Sequence, residues 1–174
     1  LRCTKAIKAL TDTNADIQAV VKANSYGLDV SEVLKVIEDD VESFSVITIS
    51  EAEEVRKHTS KPILLLQGIH EQEEYSLIEK YKLDFVIHSN WQLHGIEKYN
   101  LSNSRIWLKI NTGMNRLGIN LGDFEKLFQK VKSLNAKDIV LMSQLSASSI
   151  KDDSETLSQI ETFNNLVNGI PCKK

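Results

Sequence analysis

Short apolar runs alternate with helix-patterned runs along nearly the whole chain, and this alternation restricts the fold more than any other feature. Ile17 to Val21, Phe44 to Ile49, Pro62 to Leu66, Phe85 to His88, Ile106 to Ile110 and Ile139 to Ser143 read as strands. Val30 to Ile37 reads as a helix, with Val30, Val33, Leu34 and Ile37 on one face. A further helix follows Ser50, where Glu53 three residues on makes the capping-box pattern. Glu71 to Tyr81, Asn90 to Tyr99, Gly122 to Leu134 and Ser154 to Val167 complete the helical set. The strand runs are mostly continuous rather than alternating, as expected for parallel strands buried on both faces. Regular βα repetition means an α/β fold, either a doubly wound sheet or a (β/α)8 TIM-type barrel, and the spacing favours the barrel. A closed barrel needs eight strands and about 250 residues. The 174 residues hold six such units, so residues 1–174 are expected to form one partial barrel.

Composition removes several classes of function. The formal net charge of −3, without a Lys/Arg stripe carrying interleaved aromatics, gives no reason to expect a nucleic-acid partner. No apolar run approaches the roughly 20 residues that span a bilayer. Leu1-Arg2-Cys3-Thr4-Lys5 has no apolar signal core, so cytoplasmic residence is the expectation. Cys3 and Cys172 have neither metal-ligand spacing nor a disulfide framework and read as minor thiols. His58, His70, His88 and His94 do not converge on a metal motif, so no metal is expected.

The chemistry is concentrated in two motifs. In the first, Ala19-Val20-Val21-Lys22-Ala23-Asn24-Ser25-Tyr26-Gly27, a lysine ends an apolar strand. At a barrel's strand end it points into the mouth, where active sites sit. Partial burial there favours the neutral amine, which attacks an aldehyde to give a Schiff base. Tyr26 returns to the same pocket and offers a hydroxyl to a phosphate. The plain alternative for Lys22 is a surface lysine at a strand end. In the second motif, Trp107-Leu108-Lys109-Ile110-Asn111-Thr112-Gly113-Met114-Asn115-Arg116-Leu117-Gly118, Lys109 lies within an otherwise apolar strand. A buried lysine is costly unless paired, modified or neutral. Gly113 and Gly118 bracket a loop holding Arg116 over the strand end, where a guanidinium suits a phenolate, carboxylate or phosphate oxygen. Alternatively Lys109 snorkels to the surface and Arg116 makes a loop salt bridge.

Together, Val-Val-Lys-Ala-Asn-Ser-Tyr-Gly and Lys-Ile-Asn-Thr-Gly-Met-Asn-Arg-Leu-Gly resemble the two signatures of bacterial alanine racemases. Phe44 to Ala52, Pro62 to Gly68, His88 to Gln92 and Leu141 to Ser143 also resemble that family, in order. The resemblance implies a pyridoxal 5'-phosphate (PLP) enzyme that interconverts L- and D-alanine through a PLP aldimine by two-base proton transfer, supplying D-alanine to peptidoglycan. It implies that Lys22 carries the cofactor and acts as base on one face of the substrate. Tyr26 would bind the cofactor phosphate, and Arg116 its phenolic oxygen. Lys109 matches a lysine that is carbamylated in many members, which would turn a buried cation into an anion orienting Arg116. It further implies a homodimer and a C-terminal β-domain, not present here, whose tyrosine serves the opposite face in the partner's site. Leu1 would fall inside the family's first helix.

Two departures stand out. The family's Tyr-Gly-His-Gly is here Tyr26-Gly27-Leu28-Asp29, so either the turn differs or residues are missing. The histidine that packs on the cofactor ring is here Gln144, which would contact the ring through its amide or else stay clear of the ligand. The rival readings are a non-catalytic PLP carrier of the same fold, a PLP amino-acid decarboxylase, and a degenerate structural fragment. The isolated chain is expected to be inactive in racemisation.

Overall fold

A computed structural model describes residues 15–150 and 153–171. Six strands form one sheet: β1 (Gln18–Val20), β2 (Ser43–Val46), β3 (Ile63–Leu65), β4 (Asp84–Ile87), β5 (Arg105–Lys109) and β6 (Asp138–Met142). Each pairs in parallel with the next in chain order. Parallel neighbours require crossovers, which α1 (Val30–Ile37), α2 (Ile49–Arg56), α3 (Tyr75–Tyr81) and α4 (Phe124–Lys132) provide, with α5 (Ser154–Val167) after β6. A doubly wound sheet reverses its strand order at a switch point. Here the order runs β1-β2-β3-β4-β5-β6 without reversal. Successive right-handed crossovers then put every helix on the same face, which is the geometry of a partial barrel.

Side chains alternate between the two faces of the sheet. Phe44, Val46, Ile63, Leu65, Phe85, Ile87, Ile106 and Leu108 pack with Leu34, Val55, Ile78 and Phe124 of the helices in one apolar cluster. The opposite face carries Leu64, Val86 and Val140 in its middle, with Lys109 at the end of β5 on the same face as Trp107. Strands β2, β3 and β4 are buried at every position, because both faces are covered. The outer strands β1 and β6 are only partly buried.

Several helix starts differ from expectation. The capping box belongs to Thr48 and Glu51, not Ser50 and Glu53: Thr48 Oγ1 accepts from Glu51 N (3.3 Å) and the Glu51 carboxylate accepts from Thr48 N (3.1 Å). Strand β2 stops at Val46, so the turn needs little more than Ile47 and the helix begins earlier. The expected helix from Asn90 to Tyr99 is two 3-10 turns, Asn90–Leu93 and Ile96–Lys98. They are separated by extended His94 and by Gly95 at φ 73°. The helices expected from Glu71 and Gly122 begin as 3-10 turns and become α-helical at Tyr75 and Phe124. Cys3, Cys172 and the expected first helix around Leu1 lie outside the described residues. Among the described residues, no helix is long and apolar enough to cross a membrane.

Phe44 is fully buried and sits in register between Ala19 and Ile63. Phe44→Ala is expected to lower unfolding free energy by about 3–5 kcal/mol, the usual cost of emptying an aromatic core site. Urea denaturation followed by far-UV circular dichroism checks this.

Candidate active site

The strands all run the same way, so their C-terminal ends share one rim. A cavity of about 600 Å³ opens there, lined by Val20 at the end of β1 and Lys22 just after it, Ile47 after β2, Leu66 and Gln67 after β3, and Lys109 of β5. Met142, Ser143 and Gln144 of β6 and its loop complete it with Tyr26, Arg116 and Leu117. It thus unites Lys22, Tyr26, Lys109, Arg116 and Gln144, which are far apart in sequence. A second cavity of about 620 Å³ opens at the opposite rim, but its arginines are occupied. Arg56 donates to the carbonyls of Thr59, Lys61, Tyr81 and Lys82, and Arg105 pairs with Asp84 at 2.7 Å.

Lys109 is buried, as its apolar strand requires, and does not snorkel to the surface. Burial, and then the nearby Arg116, push its amine below the ordinary lysine value. One oxygen serves both cations: Gln144 Oε1 accepts from Lys109 Nζ (3.1 Å) and from an Arg116 terminal nitrogen (2.8 Å). Gln144 is therefore a shared hydrogen-bond acceptor for the two cations. Arg116 sits on a loop that leaves β5 and returns beside it, where Ile119 N donates to Lys109 O (2.8 Å) and Asn111 N to Ile119 O (2.9 Å). Asn111 Oδ1 accepts from Gly113 N and Asn115 N inside that loop. Gly118 (φ 143°) is required at the return, because a Cβ there would meet Asn111 N at 2.7 Å.

Lys22 is half-buried, and its Nζ lies 5.9 Å from the centre of the Tyr26 ring. Between them Ala23, Asn24, Ser25 and Tyr26 all hold left-handed backbone, with φ from 50° to 57°. Such a conformation costs an L-residue about 1–2 kcal/mol each, so other contacts must hold it. Ser25 N donates to Val21 O and Leu28 N to Ser25 O. Asn24 Oδ1 accepts from Val30 N at 2.8 Å, and Asp29 then caps α1 through Ser31 N and Glu32 N. Asn24 and Asp29 thus close the turn that follows Gly27 in this chain.

Two supporting residues were not among the sequence candidates; Gln159 carries no obvious sequence signal, whereas Ser89 and Gln92 have the capping-box spacing. Gln159 of α5 is buried; it accepts from Ser146 N (2.9 Å), donates to Gln144 O (3.3 Å) and abuts Gly113. A glutamine among the polar residues of an amphipathic helix reads as solvated. Gln92 accepts from His88 N and donates to Gln67 O, fixing the ends of β3 and β4. His88 also lies 3.2 Å from Gln67 O, and burial lowers its pKa.

The family model for the N-terminal domain of alanine racemase matches residues 3–174. The alanine racemases of Pseudomonas taetrolens and Pseudomonas entomophila are 35% and 36% identical to the chain over 164 residues. Each match covers 92% of this chain and 46% of the relative. The biosynthetic alanine racemase from Pseudomonas aeruginosa superposes with a TM-score of 0.87 at 32% identity, over 96% of this chain and 48% of that one. The alanine racemase from Acinetobacter baumannii gives 0.86 at 25% identity, over 99% and 51%. The chain spans about half the length of these relatives.

The lowered value at Lys109 has a thermodynamic signature. Between that value and the ordinary 10.5, the unfolded chain holds a proton that the folded chain has released. Stability contributed at this site therefore rises with pH through that window and is lowest below it. The difference in unfolding free energy between the parent and Lys109→Met should shift in the parent's favour as pH climbs toward 10.5. Denaturant melts of the two chains across the alkaline range measure that difference.

Proposed function

The chain belongs to the alanine racemase N-terminal domain family, and from that membership we propose that it is the cofactor-binding barrel region of a PLP-dependent enzyme interconverting L- and D-alanine. One observation carries the reading. Lys22, Tyr26, Lys109 and Arg116 line a single cavity at the strand C-terminal ends. That donor set fits PLP. An amine is available for the aldehyde, and a phenol and a guanidinium for the acidic oxygens. Val20, Ile47, Leu66 and Met142 give the walls an apolar component suited to a ring.

Bound PLP supplies an electron sink for the carbanion at the substrate α-carbon. Lys22 Nζ is the attachment point for the aldehyde and, when free, the acid–base group on one face of alanine. Tyr26 Oη would donate to the phosphate. Arg116 would donate to the phenolic oxygen and fix electrostatics without moving a proton. Gln144 holds Arg116 in place through its amide oxygen and would lie beside the cofactor at the cavity wall. Inversion needs a second acid–base group on the opposite face, which we assign to a segment outside this half of the enzyme, contributed by the partner in a homodimer. Residues 1–174 alone then bind cofactor without racemising alanine. D-alanine would go to cell-wall peptidoglycan.

We also assign Lys109 as a carbamylation site. Its neutral fraction is raised by burial and by Arg116. Addition of CO2 forms an N–C bond, releases one proton and leaves an anion beside the guanidinium. That anion would relieve the repulsion that Gln144 now mediates.

PLP added to the chain is expected to give a visible absorption band, and borohydride reduction followed by peptide mapping should place the pyridoxyl group on Lys22. Lys22→Ala should abolish both signals. A band that persists in Lys22→Ala, or a pyridoxyl group mapped to another lysine, overturns the assignment. A longer chain including the second half should racemise L-alanine; one that binds PLP but leaves L-alanine unchanged supports the PLP-carrier alternative.

A further inference from the structure

The left-handed turn after Lys22 is held from outside itself. Glu51, in the first turn of α2, accepts from Ala23 N through Oε1 at 2.8 Å. Its other oxygen accepts from Ile47 N at 2.9 Å and Thr48 N at 3.1 Å. A capping box requires only the bond to Thr48 N. The bonds to Ala23 and Ile47 exceed that need, and both reach the rim: Ala23 follows Lys22 directly, and Ile47 lines the cavity. The turn's own hydrogen bonds involve the amides of Ser25 and Leu28, and Asn24 takes the amide of Val30. Ala23 N is the first amide of the left-handed run, and Glu51 is its acceptor.

We propose that Glu51 is the positioning residue for Lys22: its carboxylate pins the first amide of the strained turn and so aims the lysine amine into the cavity. The proposal rests on Lys22 being the cofactor lysine. Glu51 acts through the backbone and touches no reacting atom. Burial opposes its charge, but the amides of Ile47, Ala23 and Thr48 outweigh burial and keep its pKa below the ordinary carboxylate value. Glutamine at this position keeps the shape but leaves one acceptor oxygen. It can serve Ala23 or the Ile47–Thr48 pair, not both.

The test uses the full 174-residue chain and PLP itself as probe. Glu51→Gln should weaken PLP binding, read from the visible band, by about tenfold, the worth of one charge-assisted hydrogen bond. It should also speed hydrogen exchange at the Ala23 amide. Thr48→Ala removes the other half of the capping box and should lower the melting midpoint while leaving PLP affinity within about twofold. Glycine takes left-handed backbone without penalty, so Ala23→Gly alone should raise the melting midpoint. Combined with Glu51→Gln, it should restore most of the lost affinity. General loss of α2 capping would not be rescued by a glycine in another element. The idea fails if Glu51→Gln binds PLP like the parent with Ala23 exchange unchanged. It fails equally if Thr48→Ala weakens PLP as much, or if the glycine does not rescue. Should Glu51→Gln not fold, rapid Ala23 exchange in the parent, or no gain in midpoint from Ala23→Gly, overturns it. None of these exchange or melting readings depends on PLP. A band that survives Lys22→Ala therefore sinks the cofactor-lysine assignment separately from the clamp.

Discussion

Two cations share one amide oxygen at the mouth of the sheet. Lys109 Nζ and the Arg116 guanidinium both donate to Gln144 Oε1, and Lys22 lines the same cavity. Like charges this close repel, and the repulsion grows as water is excluded. The structure limits the cost by keeping Arg116 exposed and by lowering the proton affinity of buried Lys109. A neutral amide oxygen offsets part of the remainder and neutralises none of it. A site built this way has capacity for an anion.

The sheet makes this convergence possible. Parallel strands in unbroken order bring every C-terminal end to one rim, and loops at that rim can vary without disturbing the packing beneath. The apolar cluster between sheet and helices holds the strand register. The opposite rim shows the contrast, since Arg56 there caps loops by binding four backbone carbonyls and Arg105 pairs with Asp84. Cations at one rim are bound to a carboxylate and to backbone carbonyls, while at the other two of them share one neutral amide oxygen.

Much of this was legible in the sequence. Continuous apolar runs at regular spacing announced buried parallel strands, and each expected strand is present: β1 and β3 are a residue shorter at each end, β4, β5 and β6 lie one residue earlier, and β2 starts one residue earlier and stops three residues short. Lys22, Lys109 and Arg116 were legible because each breaks a local pattern: a charge ending or interrupting an apolar run, or an arginine between two glycines. What escaped was set by tertiary contact. The capping box was misplaced by two residues because Thr48 and Ser50 both suit an N-cap, and only the point where β2 ends decides between them. Asn90 to Tyr99 has helical periodicity, yet Gly95 and the demands on Gln92 from His88 N and Gln67 O break it into two turns. Gln159 gave no signal, because a buried amide that holds a loop looks in sequence like any polar helix residue.

Local turns shape the site's loops, but the contacts that join its parts reach across strands. Ala23 and Glu51 are 28 residues apart, as are Arg116 and Gln144, and Lys109 and Gln144 are 35 apart. None of these pairs meets until β1 has paired with β2, or β5 with β6, in the observed register. A one-residue slip would move Lys109 to the helix-facing side of the sheet, because side chains alternate. The left-handed turn at Ala23 to Tyr26 has local hydrogen bonds of its own, but its first amide has the Glu51 carboxylate as acceptor, which comes from beyond β2. The local sequence therefore specifies the strands, and the paired strands specify the site. Lys22 acquires a defined direction only as a consequence of the long-range fold.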